Sequence, residues 1–130
     1  MKVLIALDQS RHSQRALEFV TRMRWPAGSR VIVLSVLQSV INAVAAPYET
    51  SAMGIELMTE QRRILDELVT TAVRRLRESG FSTEGHVLAG DPRETLMHEA
   101  RDQRADLIVM GSRGRTGFSK LTLHGAWVTM

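Results

Sequence analysis

The sequence of 130 residues contains no cysteine, which excludes disulfide frameworks, thiolate metal sites and thiol nucleophiles. Aromatic residues are also scarce, at 5%, so we do not expect the basic surface interleaved with aromatic side chains that binds nucleic acids. Long hydrophobic runs are missing as well: the first run, residues 3–7, ends at Asp8 and is too short for a signal sequence or a membrane span. These absences predict a cytoplasmic protein that binds neither nucleic acid nor membrane.

The composition is typical of one ordinary globular domain. Hydrophobic residues make up 44% of the chain and charged residues 24%, a balance that favours folding over disorder. A length of 130 residues is enough for one hydrophobic core but not for two. The net charge of +3 would tolerate a phosphate-bearing ligand without predicting a polyanionic partner.

Recognisable catalytic and metal-binding motifs are missing too. The sequence lacks the nucleophile motif GxSxG and the phosphate motif GxxxxGK[ST], and no GxGxxG follows the first apolar run. The histidines lack the i, i+4 spacing of a metal pair; they are His12, His86, His98 and His124. We therefore expect a binding protein without a resident metal rather than an enzyme.

Short apolar runs of strand length alternate with segments of helical period. Because parallel strands need crossover connections and helices then cover both faces, this alternation predicts an α/β fold with a doubly wound parallel sheet. Strands are predicted at residues 3–7, 30–37, 82–90 and 105–111, and helices at residues 10–25, 60–79 and 91–104. The third strand is the least apolar, so we expect it near a sheet edge.

Capping residues mark several helix ends. Ser10 is placed to cap the first helix, and Gly80 has the position of the glycine that follows a helix C-terminus. Asp91 and Pro92 are the expected N-cap and first residue of the third helix. Residues 38–58 have no clear period, and we interpret them either as a flap near the site or as partly helical.

The predicted ligand site is the edge where the carboxyl ends of the strands meet, since open parallel sheets bind ligands where the strand order reverses. Asp8 follows the first strand and Val36 lies late in the second. The Asp8 carboxylate could accept a hydrogen bond from a ribose or an adenine amino group. The preferred interpretation from the residues alone is that it caps the following helix together with Ser10.

The segment GSRGRTG directly follows the fourth strand. Its glycines, Gly111, Gly114 and Gly117, could adopt positive φ and present bare N–H groups to a phosphate. Arg113 and Arg115 could add charge-assisted contacts to the same phosphate. The alternative is a simple turn with solvated arginines, because short glycine motifs have many false matches.

Two stretches together resemble the universal stress protein family: KVLIALDQSRHSQRALEFV, and GHVLAGDPRETLMHEARDQRADLIVMGSRGRTGFSKL. The resemblance implies the adenine-nucleotide alpha hydrolase-like fold, with strand order 3-2-1-4 for the strands identified above. It also implies a cytoplasmic homodimer that acts in the stress response. One branch of the family binds ATP, which would come with Mg²⁺, and another branch binds no nucleotide.

The resemblance also assigns site residues. It places the adenosine beside Ala6, Leu7, Asp8 and Val36, and it adds Met110 and Arg113 to the same pocket. The ATP-binding branch carries the pattern G-x2-G-x9-G-[ST] after the fourth strand, and its first two glycines match Gly111 and Gly114.

The second half of that pattern departs from the family. His124 stands where the third glycine belongs, and Gly125 follows one place late with Ala126 behind it. Either a one-residue insertion has shifted the glycine, so that Gly125 and Ala126 still hold phosphate, or the triphosphate cradle is damaged. Because the sequence stops at Met130, we also expect the domain, residues 1–130, to lack the family's fifth strand.

Three functional hypotheses follow. The first is a stress protein that binds ATP or a related adenine nucleotide in a regulatory role. The second is a stress protein without nucleotide that acts as a dimeric interaction module, which the altered glycine pattern favours. The third is an unrelated α/β enzyme, since one fold hosts many functions.

Overall fold

The structure, a computed structural model, describes residues 1–38 and 52–111 in full and the backbone of residues 126–129. Strands and helices alternate along this part of the chain, which confirms the predicted α/β class. The elements are β1 (Lys2–Ala6), α1 (Arg11–Arg22), β2 (Arg30–Gln38), α2 (Ala52–Glu78), β3 (Ser82–Gly90), α3 (Pro92–Asp102), β4 (Leu107–Met110) and β5 (Ala126–Thr129).

All the strands lie parallel in one sheet of order β3-β2-β1-β4-β5. The order 3-2-1-4 and the edge position of the third strand are therefore confirmed. The prediction that the fifth strand is missing was wrong, because Ala126–Thr129 pairs with Leu107–Met110. That prediction was based on where the sequence stops, but a parallel connection needs only about a dozen residues, and residues 111–125 are enough for one. The segment AWVT also contains three residue types common in strands.

Helices cover both faces of the sheet, as a doubly wound fold requires. Because successive strand residues point to opposite faces, alternate residues of each strand belong to different cores. α1 and α2 pack over one face, where the buried residues include Val3, Ile5, Val33, Val109, Ala16, Val20, Ala72 and Leu76. α3 packs over the other face, with Leu4, Ile32, Leu34, Leu96, Ala100, Ile108 and Met110.

The first helix begins as predicted and ends early. The Ser10 hydroxyl accepts a hydrogen bond from the Ser13 amide at 3.4 Å, as an N-cap does. The helix stops at Arg22 because Met23 is extended. The chain then turns back, and the Trp25 indole N–H donates to the Val20 carbonyl at 2.8 Å.

The second helix is longer than predicted. It begins at Ala52, so residues 52–58 are helical, as the second of the two interpretations of residues 38–58 predicts. Residues 39–51 lie outside the described residues. The early turns carry outward-facing apolar side chains, which obscured the helical period. The helix ends as predicted: Gly80 has φ +95°, and the Phe81 amide donates to the Leu76 carbonyl at 3.0 Å, the bond of a Schellman cap.

The third helix confirms its predicted start. The Asp91 carboxylate accepts from the Glu94 amide at 3.0 Å, and Pro92 is the first helical residue. The helix ends in the same type of cap as α2, with the Ala105 amide donating to the Ala100 carbonyl at 2.9 Å. Here, however, the left-handed position is held by Arg104, with φ +53°, rather than by glycine.

Candidate functional site

A cleft of about 240 Å³ opens at the carboxyl edge of the sheet. Its floor is one row of paired residues, in which Ala6 lies between Leu34 and Met110. β1 is the strand at which the order reverses, since β2 lies on one side of it and β4 on the other. The cleft therefore occupies the position where open parallel sheets bind ligands.

Six of the residues proposed from the sequence come together around this cleft. They are Ala6, Leu7, Asp8, Val36, Met110 and Gly111. Arg113, Gly114 and Gly125 lie outside the described residues. The structure does not bring Ala126 to the cleft, because Ala126 pairs with Leu107 at the amino end of β4.

Four further lining residues were not singled out in the sequence: Leu34, Gln38, Pro92 and Leu96. Leu34 and Leu96 read as ordinary core positions, and both are buried. Pro92 was recognised only as the start of α3. The position of Pro92 and Leu96 beside the cleft could nevertheless have been inferred from the order of elements. A helix that follows β3 starts at the carboxyl edge, so its first turns lie beside any ligand bound there.

The cleft has apolar walls and few polar groups. Ala6, Val36 and Pro92, each half-buried, contribute hydrophobic surface, whereas Asp8 and Gln38 contribute a carboxylate and an amide. This combination is common in small-molecule sites, where apolar contacts supply affinity and a few polar groups fix the orientation. The arrangement suits a flat apolar ring that carries hydrogen-bonding substituents.

The Asp8 carboxylate is held by the first turn of α1. Its Oδ1 atom accepts from the Ser10 amide at 2.7 Å and from the Ser13 hydroxyl at 2.8 Å. The Ser13 hydroxyl in turn accepts from the Asp8 amide at 2.7 Å, and Ser13 is buried. The preferred interpretation is confirmed for Ser10, which is the N-cap. Asp8 holds the amide of that residue rather than an amide of the first turn, and its side chain also lines the cleft.

These contacts keep Asp8 ionised. Burial by itself would raise the pKa of the Asp8 carboxyl, but the hydrogen bonds from Ser10 and Ser13 and the nearby His12 imidazole outweigh burial and lower the pKa below its ordinary value. At neutral pH the cleft therefore contains a fixed negative charge that can accept hydrogen bonds but not donate them.

The chain between β1 and Asp8 is fixed by β2. The Leu7 amide donates to the Leu34 carbonyl at 2.9 Å, and the buried Ser35 hydroxyl donates to the Leu7 carbonyl at 2.8 Å. Both backbone groups of Leu7 are thus paired, so the residue before Asp8 has little freedom to move.

Gly111 has a steric role that the sequence did not reveal. A Cβ atom at this position would overlap the carbonyl group of His12 and the amide nitrogen of Ser13. The prediction of positive φ at Gly111 was wrong, since the described glycines with positive φ are Gly28, Gly80 and Gly90. Glycine is required at position 111 because the backbone of α1 lies directly against the end of β4.

The described part of the chain contains neither a candidate membrane span nor a candidate metal cluster. No described helix is both long and apolar enough to cross a membrane. Within residues 1–38 and 52–111, no group of three or more His, Cys, Asp or Glu side chains is arranged to hold a metal ion.

The described residues form a doubly wound parallel sheet with a cleft and a carboxylate at its switch point, the position at which open α/β sheets bind ligands. The model of the universal stress protein family matches residues 1–125. The chain therefore belongs to the universal stress protein family.

Relatives span nearly the whole chain. A universal stress protein of Thermus aquaticus, encoded in the 3′ region of QAH/OAS sulfhydrylase, is 27% identical over 121 residues, covering 93% of this chain and 83% of that protein. The solved structure of MJ0577 from Methanocaldococcus jannaschii has a TM-score of 0.78 at 21% identity, covering 98% of this chain and 93% of that one.

A universal stress protein family protein from Arabidopsis thaliana, solved with AMP bound, has a TM-score of 0.73 at 20% identity. The alignment covers 100% of this chain and 90% of the Arabidopsis chain. The likeness to these solved structures shows a shared fold.

Proposed function

We propose that the cleft binds an adenine nucleotide and that the protein acts as a regulatory nucleotide-binding protein of the stress response, not as an enzyme. The main support is the meeting of an apolar cleft and an ionised carboxylate at the switch point of the sheet. The Arabidopsis relative of the same fold was solved with AMP bound, which supports the choice of an adenine compound.

The lining residues match the chemistry of a nucleoside. Val36 and Pro92, both half-buried, offer apolar surface to the faces of a purine, and Asp8 offers an acceptor to hydroxyl or amino groups. Gly111 lies at the same edge, after β4, where the phosphate end would leave the cleft.

Mg²⁺ fits the described residues poorly. Asp8 is the one carboxylate among the described residues that line the cleft, and its Oδ1 atom already accepts two hydrogen bonds. Magnesium usually takes carboxylates together with the phosphates of its nucleotide. ATP with Mg²⁺, expected from the resemblance, thus gains no support from this part of the chain.

Binding without turnover is the better proposal. The side chains that line the described part of the cleft are mainly apolar, and they include no paired nucleophile and general base.

A cytoplasmic location remains a prediction.

Titration calorimetry with AMP tests the proposal. Val36→Phe places a ring in the cleft and should abolish the binding heat, whereas Ala89→Phe, at an exposed position on β3, should leave it unchanged. Circular dichroism should show that both variants are folded. Absence of heat with folded wild-type protein would contradict the proposal. Gly111→Val is unsuitable for this test, because it would disturb the packing of α1 as well as any ligand contact.

An interaction module, most simply a homodimer, is the second candidate function. It is favoured by two exposed apolar side chains on one face of the first turns of α2: Met53 and Leu57, one helical turn apart, are 65% and 49% exposed. Clustered exposed apolar residues often mark contact surfaces. Light scattering of the wild type and of Met53→Ser/Leu57→Ser tests this candidate: a dimer that dissociates in the variant supports it, and a monomeric wild type contradicts it.

A further inference from the structure

We infer that Gln38 is a specificity-determining residue of the cleft, and that its side-chain amide selects adenine over purines without a 6-amino group. This inference rests on the proposed function and deepens it. It follows from the position of Gln38 at the end of β2 and from the small number of polar side chains that line the cleft.

Gln38 projects into the cleft from its outer end. Because successive side chains of a strand alternate between the two faces of a sheet, Leu34, Val36 and Gln38 share one face, and all three line the cleft. Ala6 pairs with Leu34 on the cleft floor, so Asp8 follows the floor by two residues and Gln38 by four. Since a strand rises about 3.3 Å per residue, Gln38 lies about 7 Å further out than Asp8 along the strand direction.

The neighbouring strands leave room around the Gln38 side chain. On β3 its partner is Gly90, which has no side chain, and on the other side β1 ends at Ala6. Gln38 is exposed, and within residues 1–38 and 52–111 no group hydrogen-bonds to its side-chain amide. None of the described residues therefore competes with a ligand for this amide.

The chemistry of the lining singles out the same side chain. The ring nitrogens of a purine accept hydrogen bonds, and the 6-amino group of adenine donates them. Asp8 is ionised, so it accepts but cannot donate. Among the described lining residues, Gln38 is thus the one whose side chain can donate to a ring nitrogen. Its carbonyl oxygen can accept from the adjacent amino group at the same time, as glutamine does when it reads adenine in DNA.

The two polar side chains consequently have separate roles toward a nucleoside. Val36 and Pro92 provide the half-buried apolar surface on which the ring lies. A ring on this surface directs its far edge outward to Gln38, while the ribose hydroxyl groups lie toward Asp8, deeper in the cleft. Asp8 then holds the sugar, and Gln38 distinguishes the base.

Titration calorimetry with AMP and with purine riboside 5′-monophosphate, which lacks only the 6-amino group, tests the inference. The wild type should bind AMP about three- to tenfold more tightly, the effect of one hydrogen bond. Gln38→Met keeps the length of the side chain but removes both hydrogen-bonding groups, so AMP should bind more weakly and the two ligands should bind alike. Gln61→Met makes the same change at an exposed position on α2 and should leave the wild-type preference unchanged.

Circular dichroism should show that both variants are folded, since both positions are exposed. The inference is overturned if the wild type binds the two ligands equally, or if Gln38→Met keeps the wild-type preference for AMP. In either case, AMP binding by the wild type leaves the proposed function intact. If neither ligand binds to folded wild-type protein, the proposed function itself fails, and the role of Gln38 fails with it.

Discussion

Adding one methyl group at Gly111 is expected to destabilise the protein by about 2–3 kcal/mol, the upper part of the range for overpacking a core. The new Cβ would overlap backbone atoms of His12 and Ser13, and no side-chain rotation can relieve an overlap with backbone. α1 cannot move away freely either, because Ala16 and Val20 anchor it in the core. The strain must therefore be absorbed by separating α1 from β4.

Urea denaturation followed by circular dichroism measures this cost for Gly111→Ala. Gly28→Ala is the matched control: Gly28 has φ +80°, and a Cβ atom added there would meet nothing within 4 Å, so only backbone strain of about 1 kcal/mol applies. The reasoning is refuted if Gly111→Ala is as stable as the wild type or loses less stability than the control. Because the displaced turn carries Ser13, which holds Asp8, AMP binding should weaken in the same variant.

Three other predictions concern stability. Asp8→Asn should lower the free energy of unfolding by about 1 kcal/mol at pH 7, because the charge-assisted hydrogen bonds that Ser10 and Ser13 donate to the carboxylate become weaker bonds to a neutral amide. Since the folded pKa lies below the unfolded value of about 3.9, the wild-type advantage should be complete above about pH 5 and disappear as the pH falls through the folded pKa. Urea titrations at pH 7 and at pH 3 test this, and a difference that does not change with pH would contradict it. Arg104→Gly should stabilise the protein by about 0.5–1 kcal/mol by relieving the left-handed backbone, whereas Arg104→Ala should give no gain in the same urea assay. Ser35→Ala should destabilise by about 1–2 kcal/mol, because the Leu7 carbonyl loses its buried donor; an unchanged melting temperature would show that water replaces the hydroxyl.

The candidate site could be predicted in part from the sequence. Asp8 and Val36 were found because each lies at the end of an apolar run, and the carboxyl ends of parallel strands meet at one edge. Leu34 and Leu96 were not found, because a residue that lines a cleft and a residue that fills a core have the same apolar character. Only the packing of α3 over the sheet distinguishes these two roles.

The order of elements and most of their ends were determined by the sequence alone. Ser10, Gly80 and Asp91 act on backbone groups within a few residues of themselves, so their effect can be read from a short stretch of chain. The register of β5 and the tight contact of Gly111 with α1 were decided only by the tertiary structure. Both depend on which distant segments come to lie side by side, and that choice follows from burying the whole core at once rather than from any local pattern.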